Sequence, residues 1–405
     1  MDHEERKREP IAAESGSMTP EEESVHPEED EIRAPESRKQ KKRASLPRWK
    51  RWEKVLAIIG AVCLLLSMVC YARFYYLAHM LDSQREAERW QGDGDLAFKQ
   101  ISCFLPANRL ITLEDVSAFR TSAMRALIDA SMDIGGDAQL MLDCWSTTAR
   151  LNIYSAHGRG EVGVIAVGGN FFDFHPLHLL SGDYIRQTDL MEDRILLDEE
   201  VAWLLYGGTE LQGMEVRIGE RIFTIAGVVE REKDSATKRA FLDEMGIYMR
   251  YDALLEMDEN TGISCYEFVL AEPVEGFAMN VAQEKFPIRG GEIVCNTTRY
   301  DLDRLLGFVL KFGSRSTQTT GVLFPYWENA ARLTESWSSF YAVYTILLAI
   351  FPVGGFIIWV IRLIHRGRRK LEREILPEAR DRTEEAIRVQ KRKRWERTRG
   401  AHERD

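Results

Sequence analysis

The sequence predicts an α+β domain held outside a membrane by two transmembrane helices. Three observations carry that expectation. Two long apolar runs are free of charge, basic residues crowd the same side of both, and the stretch between them mixes helical with alternating periodicity. The average over 405 residues, 45% hydrophobic and 29% charged with a net charge of −10, is that of an acidic soluble protein and hides this division. Residues 1–72 carry a net −1, residues 73–339 a net −16 and residues 340–405 a net +7. A middle so acidic excludes nucleic-acid binding through it, because phosphate requires the opposite sign. The composition also excludes collagenous, disulfide-dense and wholly disordered chains.

Residues 1–37 are an acidic tail, with Glu21 to Glu23 and Glu28 to Glu31 among four prolines and little aliphatic material, and are expected to stay disordered. Residues 38–54 hold nine Lys or Arg against Glu53 alone. Residues 55–77 form the first span, since the 18 uncharged residues between Lys54 and Arg73 suffice for a bilayer core. The charged leader is too long for a cleaved signal peptide and no small-residue cleavage site follows, so an uncleaved anchor is expected. A second uncharged run, Ser336 to Ile361, contains the second span at 340–361, and Arg362 to Arg373 again supply positive charge. The positive-inside rule places both termini in the cytoplasm and about 78–339 outside. Trp49, Trp52, Tyr75, Tyr76, Trp337, Tyr341 and Tyr344 stand where interfacial anchors belong. Pro352, Gly354 and Gly355 allow close helix packing or a kink, with packing preferred. The final segment, 362–405, is a basic, charged cytoplasmic tail of helix-favouring composition.

Beyond the first span, ARFYYLAHMLDSQREAERW contains no breaker and is expected to continue as a helical stalk. Leu113 to Ala130 shows helical spacing, with Thr112 as N-cap and Asp115 three residues on. Gln139 to Trp145, Leu151 to Ser155 and Val162 to Val167 are expected strands, followed by a short turn or helix at Asn170 to Phe174. Arg194 to Asp198 is a further strand, and Glu199 to Tyr206 is a helix closed by Gly207 and Gly208. Alternation around Gly219-Glu220 marks a hairpin over Met214 to Val229, with glycine at the first loop position as a type II′ turn requires. Met245 to Met249 and Ser264 to Leu270 complete the strands, with helices over Tyr251 to Glu256, Gly276 to Glu284 and Tyr300 to Lys311.

No phosphate loop, nucleophile elbow, H-E-x-x-H, C-x-x-C or kinase signature occurs, so no enzyme activity and no cofactor are expected. Asp173, His175 and His178, with Asp183, form the best metal-like grouping, weakened by Pro176 between the histidines. Asp198-Glu199-Glu200 is better explained as charge at a helix N-terminus. Cys63 and Cys70 lie in the first span. Cys103, Cys144, Cys265 and Cys295 lie outside, where disulfides are permitted, and allow three connectivities. Cys103–Cys144 with Cys265–Cys295 is the local option, and four buried thiols the alternative. Asn296-Thr297-Thr298 matches a glycosylation sequon that arises easily by chance.

A run of short motifs carries a family resemblance: Phe171-Phe172, Leu180-Ser181-Gly182, Asp189, Ile195-Leu196-Leu197, Ala202, Leu205-Tyr206-Gly207, Gly213 and the hairpin to Val229, with ITLEDVSAF at 111–119 upstream. In that order they resemble the periplasmic core domain of MacB-like and FtsX-like ABC transporter permeases. The resemblance implies a bilobed external domain, a porter-like β-α-β lobe with an inserted second lobe at about 245–298, between helical stalks. It implies a non-catalytic subunit that transmits motion or assembles a complex for export or envelope remodelling, with partner membrane subunits and a separate ABC-type ATPase, and it is compatible with a homo-oligomer. Four spans are usual in such permeases, so a two-span, truncated version is expected here. Arg73, Trp90, Trp327 and Glu328 are the expected transmission contacts on the stalks. The alternative is a membrane-anchored binding, sensor or scaffold protein without a transport role.

Overall fold

A computed structural model describes residues 50–132, 139–241, 246–287, 290–310, 322, 324–371, 373 and 376–402. The acidic tail at 1–37 and most of the basic segment after it lie outside the described residues. The helices are α1 (Arg51–Ala78), α2 (Glu86–Gln91), α3 (Leu113–Asp129), α4 (Phe171–Phe174), α5 (Glu199–Tyr206), α6 (Thr237–Ala240), α7 (Tyr251–Met257), α8 (Phe277–Lys285), α9 (Leu302–Leu310), α10 (Tyr326–Lys370) and α11 (Leu376–His402). The strands are β1 (Phe98–Phe104), β2 (Met141–Tyr154), β3 (Arg159–Gly169), β4 (His178–Gly182), β5 (Arg194–Asp198), β6 (Glu215–Ile218), β7 (Arg221–Glu230), β8 (Gly246–Arg250), β9 (Cys265–Ala271) and β10 (Glu292–Cys295).

Among the described residues all strands join one sheet in the order β10-β1-β9-β2-β3-β8-β5-β7-β4, with β6 pairing both β2 and β7. That last pairing divides the domain. At one end β1-α3-β2 and β9-α8-β10 make an antiparallel four-stranded sheet of ferredoxin-like order, β10-β1-β9-β2. At the other, β2-β3-β8-β5-β7-β6 closes on itself through Ile153↔Ile218 and Tyr154↔Arg217. The interior of this six-stranded ring is filled by Ile153, Val164, Ile195, Phe223, Ile225 and Met249 from the strands, with Val201 and Leu205 of α5 beside them. The inserted lobe therefore runs from β3 to α7. The expectation of 245–298 is corrected, because β9, α8 and β10 complete the first lobe.

Local chemistry sets most boundaries. Thr112 and Asp115 form a reciprocal capping box on α3. Asp198 caps α5 by accepting from the Glu200 N–H at 2.9 Å, and Gly207 ends that helix in the left-handed conformation. Gly219 has φ of +61° at the first position of the β6–β7 turn, as the hairpin predicts. The two strands expected at 139–145 and 151–155 are one, because Ser146 to Arg150 pair without interruption with Val167 to Gly163 of β3.

Two described helices are long and apolar enough to cross a membrane, α1 and α10. They pack together: the Ser67 hydroxyl donates to the Thr345 carbonyl at 3.0 Å, and a side chain at Gly60 would meet the Phe351 ring at 3.7 Å. At 1.5 Å per residue the 45 residues of α10 extend about 68 Å, enough for stalk and span in one rod. It passes through Pro352 as one helix. Gly354 and Gly355 meet no atom within 4 Å, so the packing expected of them is absent within the described chain.

The first stalk departs from expectation. α1 ends at Ala78, Leu81 is extended, and a short 3-10 turn at Asp82–Gln84 precedes α2. Tertiary docking overrides helix propensity here: Leu81 turns in to pack with Ala236, Ala330 and Ala331, and Ser83 and Gln84 are buried.

Candidate functional site

Register assigns each side chain to a face of the first lobe's sheet. Glu267 pairs with Ser102 on one neighbour and Cys144 on the other, so these three share a face with Gln100 and Cys265. Tyr266, Cys103, Asp143 and Phe268 point the opposite way, against α3 and α8. There Phe119 meets Tyr266, Phe268 and Phe286 edge-on or tilted, and Arg120 grips Asp143 with two hydrogen bonds of 2.6 and 2.7 Å.

The Glu267 face is where both stalks arrive. A continuous run of polar contacts crosses it from α10 to α4. Arg332 donates to Glu328 at 2.8 Å, Arg299 donates to the other oxygen of Glu328 at 2.7 Å, and Arg299 reaches the Asn296 oxygen at 3.4 Å. Asn296 donates to Ser102 at 2.7 Å, Ser102 to Glu267 at 2.6 Å, and the second Glu267 oxygen meets His175 Nε2 at 2.6 Å. Every member is buried. The His175 ring lies between Phe171 and Trp327, 4.5 Å from each centroid, and Trp327 belongs to α10, so the run returns to the helix where it began.

The first stalk is tied to the same face. Gln100 of β1 donates to the Ser83 carbonyl at 2.7 Å and accepts from the Glu86 N–H at 3.0 Å. Arg89 donates to the Asp82 and Asp173 carbonyls and pairs with Glu86. Burial raises the Glu86 carboxyl above its ordinary value, against the pull of Arg89. Burial alone would lower the Arg299 guanidinium, yet the carboxylates of Glu328 and Glu335 hold it above its ordinary value. The inserted lobe also reaches α10: Tyr248 of β8 and Tyr326 exchange a hydroxyl contact of 3.2 Å, and the Tyr326 hydroxyl bonds Glu232 beyond β7.

Two of the four expected transmission residues, Trp327 and Glu328, lie at the centre of this network. Trp90 sits at its margin, donating to the Gln139 carbonyl at 3.2 Å. Arg73 stands apart on the exposed side of α1, 5.5 Å over its own neighbour Tyr76. The metal-like grouping Asp173, His175 and His178 does not converge, for His175 turns into the core while His178 is 73% exposed and meets Glu230 at 3.1 Å. His175 instead joins Cys144 and Glu267, whose ligand atoms all lie within 4.8 Å of one another.

The disulfide expectation is corrected. Cys103, Cys144, Cys265 and Cys295 are buried free thiols. Strand β9 lies between Cys103 and Cys144, and β1 between Cys265 and Cys295 with a further offset of three residues, which places each local pair at least about 10 Å apart, beyond the reach of a bridge. Burial pushes the thiols of Cys103, Cys144 and Cys265 well above the usual range, with the Glu267 charge adding to it.

The network was hard to foresee because its members are distant in sequence. One signal existed: Glu267 is a lone carboxylate within the apolar strand CYEFVLA, and Gln100 and Ser102 interrupt β1 in the same way. Buried carboxylates require partners.

The comparisons with known proteins bear on this same region. The family model for the MacB-like periplasmic core domain matches residues 91–285. Over those residues, just under half of its length, the chain is similar to that domain. Among solved structures, the periplasmic region of MacB from Actinobacillus actinomycetemcomitans is 13% identical, with a TM-score of 0.38, covering 54% of this chain and 94% of that one. The extracellular domain of the noncanonic ABC-type transporter YknZ from Gram-positive bacteria is 12% identical, with a TM-score of 0.34, covering 49% and 99%. No curated protein matches the chain. The MacB-like domain here is flanked by the two apolar helices, and the polar run that joins it to α10 extends past the matched residues to Asn296, Arg299, Glu328 and Arg332.

Proposed function

We propose that the chain is a non-catalytic membrane subunit that transmits motion between the bilayer and its MacB-like domain, driven by a separate ABC-type ATPase. The observation that carries this reading is the unbroken buried run from Arg332 and Glu328 on α10 across one face of the sheet to His175, which packs back on Trp327 of α10. A rigid rod about 68 Å long ends in that run, so displacement of the span at one end moves both lobes at the other. Both termini are cytoplasmic in this reading, on the strength of the basic residues flanking each span.

The test is purification of the full chain from its native membrane in mild detergent. A nucleotide-binding ATPase subunit is expected to copurify. Repeated recovery without one, under conditions that preserve known transporter complexes, would overturn the proposal in favour of an anchored sensor or scaffold. Spin labels on α6 and on the outer part of α1 add a second measurement, with a change in their distance distribution expected when the complex is trapped with nucleotide.

A further inference from the structure

We propose that Cys144, His175 and Glu267 form a binding site for one divalent transition-metal ion, Zn2+ by donor chemistry, in the core beneath α4. The three come from separate elements. Cys144 on β2 and Glu267 on β9 are direct cross-strand partners, and His175 follows α4, where the chain folds back over the sheet. Their ligand atoms lie within 4.8 Å of one another, and each residue is at most 2% exposed. A sulfur, an imidazole nitrogen and a carboxylate oxygen together are a set that suits Zn2+ and disfavours Mg2+ or Ca2+. Donor-to-metal distances of about 2.0–2.3 Å put tetrahedral donors about 3.3–3.8 Å apart, so the site closes on an ion with side-chain shifts of about an ångström. A Glu267 carboxylate bound through both oxygens would bring the donor atoms to four.

Two further features fit a metal centre. The carboxylate already has an outer shell, since Ser102 donates to it at 2.6 Å and Asn296 donates to Ser102 at 2.7 Å; such partners orient metal ligands. Charge also balances. Binding displaces the thiol proton, and the two charges of the ion are met by one thiolate and one carboxylate. A buried His–Glu pair confers little stability over apolar residues of equal volume, which leaves its presence beside a thiol in need of another reason. The ion would pin α4 to β2 and β9 directly under Trp327 of α10.

The experiment loads the purified full chain in detergent with Zn2+ or Co2+, removes unbound metal and measures bound metal by elemental analysis. About one ion per chain is expected. The Co2+ form is expected to show a thiolate-to-cobalt charge-transfer band. Cys144→Ser is expected to lose that band and weaken affinity by more than about 100-fold, a larger effect than loss of an outer-shell partner. His175→Gln, which keeps a hydrogen bond to Glu267, is expected to weaken it similarly and carries the test if Cys144→Ser does not fold. Cys103→Ser, on the opposite face, is the control and is expected to bind as the parent does. A parent chain that retains no stoichiometric metal, or binding and a cobalt band unchanged in both His175→Gln and Cys144→Ser, would overturn the assignment.

Discussion

Glu328 is held by two guanidinium groups, Arg299 and Arg332, all three buried. Glu328→Gln leaves both cations short of a partner and is expected to destabilise by about 3–5 kcal/mol, read by chemical denaturation of the full chain in detergent. Arg221→Ala removes a comparably close but exposed pair with Glu256 and is expected to cost less than about 1 kcal/mol in the same assay. Glycines divide the same way. Gly182 has φ of +76° and a Cβ there would overlap the Ala226 carbonyl oxygen, whereas Gly207 has φ of +72° in open space. Gly182→Ala should therefore lower the denaturation midpoint well below that of Gly207→Ala, which pays only for its backbone conformation, about 1 kcal/mol. Intact mass after alkylation should show Cys103, Cys144, Cys265 and Cys295 unmodified in the native chain and all four modified after unfolding without reductant. Residues such as Thr112, Asp115, Gly207 and Gly219 were legible in the sequence because their partners lie within a few positions. Ser102, Glu267 and Asn296 were not, because register between distant strands decides which of them meet.

Elements differ in the same respect. The apolar lengths of α1 and α10 and the glycine turn between β6 and β7 depend on local pattern and could be read directly. The break after Ala78 could not, since it depends on Leu81 finding Ala236, Ala330 and Ala331. The disulfide reading failed for a related reason: proximity in sequence does not reveal that β9 inserts between β1 and β2. The contact between the spans gives a prediction at this scale. In a background lacking Cys63 and Cys70, Ser67→Cys with Thr345→Cys is expected to form an oxidised cross-link within one chain. Inserting one alanine after Ser339 turns the rest of α10 by about 100° and is expected to abolish it, as read by mobility under non-reducing conditions.

For the molecule as a whole, the stability of the domain depends on pH through Glu232. Burial pushes this carboxyl up to about 7, with Asp234 and Asp82 adding to it. Its ordinary value is 4.5, so between these limits the folded chain binds more protons than the unfolded one. Stability from this group is thus fully present below about 4.5, falls as pH rises to about 7 and then levels off, a loss of about 2 kcal/mol for a half-buried group. Glu232→Gln should remove that slope in thermal unfolding of the full chain. The closure of β6 onto β2 also has a bearing on how the chain is made. Every strand of the closed ring has been synthesised once β8 emerges, whereas β1 has no partner until β9 is made and keeps one edge open until β10 follows. The second lobe can thus finish during synthesis while β1 and half of β2 stand unpaired, and it is those strands, rather than the ring, that a chaperone would have to shield.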